Sequence, residues 1–225
     1  MTLNVVSHID HQVKVRNVLV SVSDKTGLQE LVTQLLEVNP EMMFYSTGGT
    51  YNAIRGFLGQ KADTCLQQVS QYTGQPETQG GLVKTLDFKI YLGILTETYN
   101  ADHQRDLERI RAVPLDMVVV NLYPFRQTIA KSGVTVEEAR GNIDIGGPCM
   151  IRAAAKNYLR VASVVNPEDY GMIISEMKAG GGVMSLELRF RLAQKAFLHT
   201  AAYDRMIAEY LNEQAFEDVR KCYQP

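Results

Sequence analysis

The sequence predicts an α/β fold: a mainly parallel sheet in three layers, with helices covering both faces. Three observations carry this. Short apolar runs with strand character alternate with segments of helical periodicity. The strongest runs, "NVLVSV" (17–22) and "DMVVVNLYPF" (116–125), are largely apolar, as strands buried on both faces are. Turns rich in hydroxyl and glycine residues directly follow several runs, as in "SVSDKTG" (21–27) and "YSTGGT" (45–50).

The elements are read in order as follows. The first 15 residues show no clear period and form a loose lead-in; residues 16–225 form a single domain. After the strand at 17–22, Leu28, Leu31, Val32, Leu35 and Leu36 recur at helical spacing, with Thr26 and Gln29 placed as a capping box. "MMFY" (42–45) is a second strand, followed by a short helix over "YNAIRGFL". Residues 63–81, rich in Gln, Thr and Gly, read mostly as loop, and "KIYLGIL" (89–95) as a third strand. A charged helix over 102–111 precedes the strand that Pro124 stops. A helix near 136–140 leads to "NIDIGGPCMIRAAAKN", a Gly-Gly-Pro turn opening an alanine-rich helix. "VASVV" is a further strand, "PEDYGMIISEM" a helix and "AGGG" (179–182) a flexible hinge. From about 185 a long helical segment packs on the domain, with Phe190, Ala193, Phe197 and Ala201 on one face.

Bulk composition narrows the function classes. Twenty-three basic and 25 acidic residues are intermixed for a net charge of −2, so no basic face for nucleic acid is expected. Cys65, Cys149 and Cys222 lie far apart without a CxxC, which suits a reducing cytosol rather than a disulfide framework. His8, His11, His103 and His199 lack ligand spacing, so no metal is expected. The N-terminus does not read as a signal peptide, and no apolar run approaches the roughly 20 residues needed to cross a bilayer. The expectation is a cytoplasmic protein with no membrane contact.

In parallel α/β sheets ligands collect at the carboxyl ends of the strands. Three turns stand there: Ser23 to Gly27, Ser46 to Thr50, and Asp144 to Gly147. A helix N-terminus with glycines and hydroxyls suits phosphate. Neither GxxxxGK[ST] nor GxGxxG occurs, which favours a monophosphate over a triphosphate or dinucleotide. Ordinary helix capping accounts for either turn taken singly; two at neighbouring strand ends weigh toward a ligand. Lys84 and Thr85 in "GGLVKTLD", Asn121 and Tyr123 in "NLYPF", Asp144, Lys156 and Asn157 supply a carboxylate, a phenol and amines for proton transfer and oxyanion stabilisation.

"SVSDKTG", "STGGT", "VKTL", "VVVNLYPF", "NIDIGGP", "RAAAKN" and "KAFLHTAAYD", in this order and spacing, resemble the inosine monophosphate (IMP) cyclohydrolase domain of the bifunctional purine-biosynthesis enzymes. The likeness runs from about Arg16 to Leu211. It implies a methylglyoxal synthase-like fold, a homodimer, and cofactor-free closure of 5-formamidoimidazole-4-carboxamide ribotide to IMP with loss of water. It further implies that Lys84 polarises the formyl oxygen, that Asp144 and Lys156 orient the carboxamide or handle its proton, and that Tyr123 assists. Ser21, Ser23, Lys25, Thr26, Ser46, Thr47, Gly48, Gly49 and Thr50 would hold phosphate and ribose. Asn121, Ile145 and Gly146 would line the base, with Thr85 and Gly147 also in the substrate-binding set.

One loop departs from the family pattern Gly-Arg-Val-Lys-Thr-Leu-His-Pro. Leu82 stands for the arginine, Asp87 and Phe88 for His-Pro, and Tyr91 for a second histidine. Loss of a guanidinium fork is expected to weaken anion binding. These changes keep open a non-catalytic nucleotide-binding or regulatory module on the same fold. A phosphate-eliminating lyase like methylglyoxal synthase fits less well with "NLYPF" and "NIDIGG". The transformylase partner domain of the family does not follow in this sequence, so the expectation is either a stand-alone cyclohydrolase, the leading reading, or a piece of a longer chain; a separate transformylase would be the partner of the former.

Overall fold

A computed structural model describes residues 5–75 and 84–223. In chain order the elements are β1 (Gln12–Lys14), β2 (Asn17–Val22), α1 (Leu28–Val38), β3 (Met43–Ser46), α2 (Gly48–Leu58), α3 (Ala62–Cys65), β4 (Leu66–Gln68) and α4 (Val69–Thr73). There follow α5 (Phe88–Leu95), α6 (Ala101–Ile110), β5 (Met117–Asn121), α7 (Phe125–Ile129), α8 (Val136–Gly141) and α9 (Gly146–Lys156). The chain continues through β6 (Ala162–Val164), α10 (Tyr170–Ala179), β7 (Val183–Ser185), α11 (Leu186–Glu213) and α12 (Phe216–Lys221). Five strands form one parallel sheet in the order β4-β3-β2-β5-β6.

Side chains on the strands alternate between two cores, one on each sheet face. Val18, Val20 and Val22 of β2 and Met117 and Val119 of β5 join Leu31, Leu35, Ile173 and Leu188 on one side. Leu19, Val118 and Val120 face the other way, against Ile90, Met150, Ile151, Ala154 and Ala196. This is the predicted three-layer α/β fold. The chain runs outward from β2 to β3 and β4, then returns to place β5 and β6 on the opposite side of β2. The order reverses between β2 and β5, so their carboxyl ends diverge and leave a crevice.

Four sequence expectations differ from the structure. "KIYLGIL" is helix α5, not a strand: Ile90, Gly93 and Ile94 bury one face at i, i+3, i+4 spacing, and Asp87 Oδ1 accepts the Lys89 N–H at 2.8 Å as an N-cap. A short apolar run does not by itself separate strand from helix. Within 63–81 the described residues include the edge strand β4, paired with Phe44 to Ser46 of β3; residues 76–81 lie outside the described residues. Thr26 does not cap α1. Its N–H and hydroxyl both bond Asp24 Oδ1, at 2.9 and 2.7 Å, and Gly27 takes the N-cap position with φ 68°. The lead-in is anchored rather than loose, since β1 pairs antiparallel with β7, just after the "AGGG" turn. Arg189, 1% exposed, holds it further by donating to the carbonyls of Asp10 (2.8 Å), Met184 (2.5 Å), Tyr158 (3.0 Å) and Leu159 (3.0 Å). Burial pushes the Arg189 guanidinium pKa down to about 10.

The edge of the sheet opposite the crevice is tied by a buried ion pair. Arg160 Nη1 lies 3.2 Å from Asp116 Oδ1, and the guanidinium also donates to the carbonyls of Gly93 (2.6 Å), Thr96 (3.0 Å) and Leu115 (3.1 Å). Asp116 Oδ2 accepts the N–H groups of Arg16 (2.9 Å) and Asn17 (3.0 Å), joining β2 to β5. Arg160→Met leaves a buried carboxylate without its cation and several carbonyls without donors. Urea unfolding should show a loss of about 3–5 kcal/mol; a change below about 0.5 kcal/mol would contradict the assigned role.

Candidate active site

All three turns singled out in the sequence contribute to one cavity of about 610 Å³ in the crevice between β2 and β5. Asn121 at the end of β5 sets its floor. Its Oδ1 accepts the N–H groups of Ser23 (2.6 Å) and Asp24 (2.9 Å), and its Nδ2 donates to the Asp24 carbonyl (2.8 Å). The amide thereby fastens the β2–α1 loop to the neighbouring strand, although the loop's own sequence carries no such instruction.

One wall is the N-terminus of α2. Thr47, just past β3, takes the N-cap position of α2 in extended conformation and Gly48 opens the helix at φ 44°. Thr50 Oγ1 accepts the Val22 N–H and donates to the Val22 carbonyl, both at 3.0 Å, so α2 is sewn to the end of β2. Ser21 Oγ and Thr47 Oγ1 share a hydrogen bond of 3.0 Å on the same wall. Two ammonium groups flank this first turn. Lys84 Nζ stands 3.5 Å from where a Cβ on Gly48 would lie, and Lys25 Nζ 4.0 Å from the same point on Gly49. Both positive charges add to the positive end of the helix dipole.

The second wall is the N-terminus of α9. Asp144 Oδ1 accepts the Gly147 N–H at 2.8 Å, and the Asp144 N–H donates to Tyr203 Oη at 2.9 Å. Burial raises the Asp144 carboxyl above its ordinary pKa, against hydrogen bonds from the Gly147 and Tyr123 backbone that lower it. Glycine is required twice here. A Cβ on Gly146 would stand 2.6 Å from Thr85 Oγ1, and one on Gly147 2.6 Å from both Asp144 Oδ2 and Leu122 Cδ2. Tyr123 and Ile145 are exposed, at 49% and 60%, on the cavity lining.

The cavity thus gathers Ser21, Ser23, Lys25, Thr47, Gly48, Gly49, Thr50, Lys84, Thr85, Asn121, Tyr123, Asp144, Ile145, Gly146 and Gly147. Three expected residues lie elsewhere. Ser46 is fully buried and donates to the Val20 carbonyl at 2.8 Å, a tie between strands. Thr26 folds back on Asp24. Lys156 is exposed at the far end of α9, ten residues from Gly146 and so about 15 Å along the helix axis. Of the departures from the family pattern, Leu82 lies outside the described residues. Asp87 and Tyr91 do not line the cavity: Asp87 caps α5, and the Tyr91 hydroxyl is buried toward Cys149, its pKa raised by that burial.

The sequence reading missed several contributors, among them three lining side chains and one that stands behind the site. Arg140, Ile143 and Leu86 line the cavity, and Tyr203 on α11 holds Asp144 from behind. Tyr203 stood in the motif "KAFLHTAAYD", but helical spacing alone reads as core. Among the described residues no three or more His, Cys, Asp or Glu side chains group as a metal site, and no helix is long and apolar enough to cross a membrane.

The chain is an α/β domain and belongs to the MGS-like domain family, whose pattern matches residues 27–149. Residues 154–224 match a second family, the AICARFT/IMPCHase bienzyme. The particular relatives are bifunctional purine biosynthesis proteins PurH. That of Acetivibrio thermocellus is 45% identical over 204 residues, covering 91% of this chain and 38% of the relative. That of a Thermoanaerobacter species is 47% identical over 196 residues, covering 87% and 37%. The chain therefore spans well under half the length of these relatives. A solved structure, "Crystal structure of ForH", superposes with a TM-score of 0.71 at 30% identity, covering 87% of this chain and 98% of that one.

Asn121→Ala removes the floor of the cavity without touching either helix. Loss of its bonds should cost about 1–3 kcal/mol in denaturant unfolding. The Ser23 and Asp24 amides should also lose hydrogen-exchange protection. Unchanged protection would show that the loop holds itself.

Proposed function

We propose that this protein is an IMP cyclohydrolase, closing 5-formamidoimidazole-4-carboxamide ribotide to IMP. The observation that carries the proposal is the pairing of the two walls: a cationic helix N-terminus facing a half-buried carboxylate across a space of about 610 Å³, within the range of small-molecule sites. The likeness to PurH proteins and the match to the AICARFT/IMPCHase bienzyme family support the same reading.

In the reaction the carboxamide nitrogen attacks the formyl carbon and a C–N bond forms. The formyl oxygen collects negative charge, takes up protons and leaves as water, so atoms balance without a cofactor. The first turn of α2, with Lys25 and the hydroxyls of Ser21 and Thr47, supplies donors for the 5′-phosphate. Lys84, reaching the cavity from the segment before α5 with its Nζ beside Gly48, is assigned to the developing oxyanion. Asp144, held by Gly147 and Tyr203, is assigned as the base that takes the carboxamide proton. Holding the ribotide at both ends would keep nucleophile and electrophile adjacent, which replaces the entropy cost of encounter. Lys156 has no assigned role within a single chain. A homodimer and a separate transformylase stay part of the proposal, each checked by sedimentation alone and in mixture.

Incubation with the formamido ribotide, followed by ultraviolet absorbance, should show IMP formation without added metal or nucleotide. Tight nucleotide binding with no turnover would favour a non-catalytic module and overturn the proposal. Lys84→Ala should lower turnover by about 10²-fold or more while weakening IMP binding far less; near-normal turnover would remove its role. Asp144 must be ionised to act as a base, so activity should fall as pH drops through its pKa. Burial places that limb above the ordinary value of 3.8. Asp144→Asn should abolish the limb along with most activity; an acid limb at or below the ordinary value in the native protein would contradict the assignment.

A further inference from the structure

Arg140 lines the cavity from the last turn of α8, on the stretch of chain that continues through Gly141 to Asp144. Its Nε and Nη2 both donate to Glu137 at 2.6 Å, and the Tyr223 hydroxyl lies beside the same guanidinium. The pair is open to solvent, with 62% and 38% of the two side chains exposed, so turning the guanidinium toward a ligand costs little. Glu137 would not be left bare by such a turn. The Tyr223 hydroxyl, beyond α12, donates to Glu137 Oε2 and keeps the carboxylate bonded when the arginine leaves.

Arginine has donors only and no acceptor. With the phosphate fixed at α2, the group that reaches Arg140 is the heterocycle end of the ligand. We infer that Arg140 is a substrate-binding residue that selects the oxygen substituent of the ligand's heterocycle, admitting an oxo or carboxamide oxygen and disfavouring an amino group at the same place. The juxtaposition behind it is a guanidinium fork that lines the same cavity as Asp144 and the cationic first turn of α2. Leu82 stands where the resembled family carries an arginine, and among the described residues Arg140 is the one guanidinium lining the cavity. In the ring-closing direction the fork would hold the carboxamide by its oxygen, leaving its nitrogen free to face the formyl carbon. Glu137 and Tyr223 then act as positioning residues, setting the resting place of the fork.

The inference rests on the nucleotide reading of the cavity, and the test separates the two. Calorimetric titration with IMP and with AMP, which differ in oxo against amino at the purine 6-position, gives an affinity ratio for the native protein and for Arg140→Leu and Arg140→Gln. The native protein should prefer IMP. Arg140→Leu should lose about tenfold or more in IMP affinity, as expected for one charge-assisted hydrogen bond, with AMP affinity little changed. Arg140→Gln, whose amide both donates and accepts, should bring the ratio close to one. Tyr223→Phe should shift IMP affinity in the same titration with AMP affinity little changed, and so move the IMP/AMP ratio, which a purely scaffolding hydroxyl would not do. An unchanged ratio in both Arg140 variants overturns the inference and leaves the proposed reaction standing. A changed ratio in a protein that forms no IMP from the formamido ribotide overturns the reaction and supports the inference. A native protein that binds neither nucleotide overturns both.

Discussion

The side-chain amide of Asn121 is the constraint on which the site depends. Wherever a parallel sheet reverses its strand order, two neighbouring strand ends must part, and the loops leaving them lose the backbone partners that a continuing ladder would give. Here one amide meets that deficit, accepting two loop N–H groups and donating to one carbonyl. The crevice stays open because its floor is bonded, not because it is empty. At the opposite ends of the same strands, Asp116 and Arg160 hold β2 and β5 together with a buried pair. One end of the sheet is pinned shut and the other is propped apart.

From that floor the two walls acquire opposite electrical character. The α2 wall combines an open helix end with Lys25 and Lys84. The α9 wall also begins at a helix end, but Asp144 already bonds its Gly147 N–H, so a carboxylate rather than bare dipole faces the cavity. A ligand that is anionic at one end and carries exchangeable protons at the other fits this gradient in one direction only. Orientation therefore comes from the scaffold before any particular contact to the base is considered. Gly146 and Gly147 complete the arrangement by letting the backbone approach Thr85 and Asp144 where a methyl group would collide.

Much of this was legible in the sequence, for identifiable reasons. The strands β2 and β5 are apolar on both faces, a pattern that only a sheet covered on both sides explains. The glycine and hydroxyl turns were visible because tight strand-to-helix turns use few residue types. What escaped is long-range. "KIYLGIL" has the composition of a strand, and only its packing against α9 and the Asp87 cap make it a helix. The pairing of β1 with β7 joins residues far apart in sequence, and no local period records it. Tyr203 reads as one more apolar face of a long helix until its hydroxyl is seen behind Asp144. Arg140, in a charged helix with a salt-bridge partner three residues before it, looks like ordinary solvated surface. Lys156 shows the converse: a motif carried by resemblance set it in the site, and within one chain α9 places it about 15 Å along the helix axis from Gly146.

The central claim is that the crevice between β2 and β5 holds a purine nucleotide with its phosphate on α2 and its base toward Asp144. A crystal structure of the protein with bound IMP tests it most directly. The account predicts phosphate oxygens within hydrogen-bond distance of the Gly48 and Gly49 amides and of Lys25, with the purine ring between Thr85 and Ile145. A phosphate seated at α9, or a nucleotide bound outside this crevice, would contradict it.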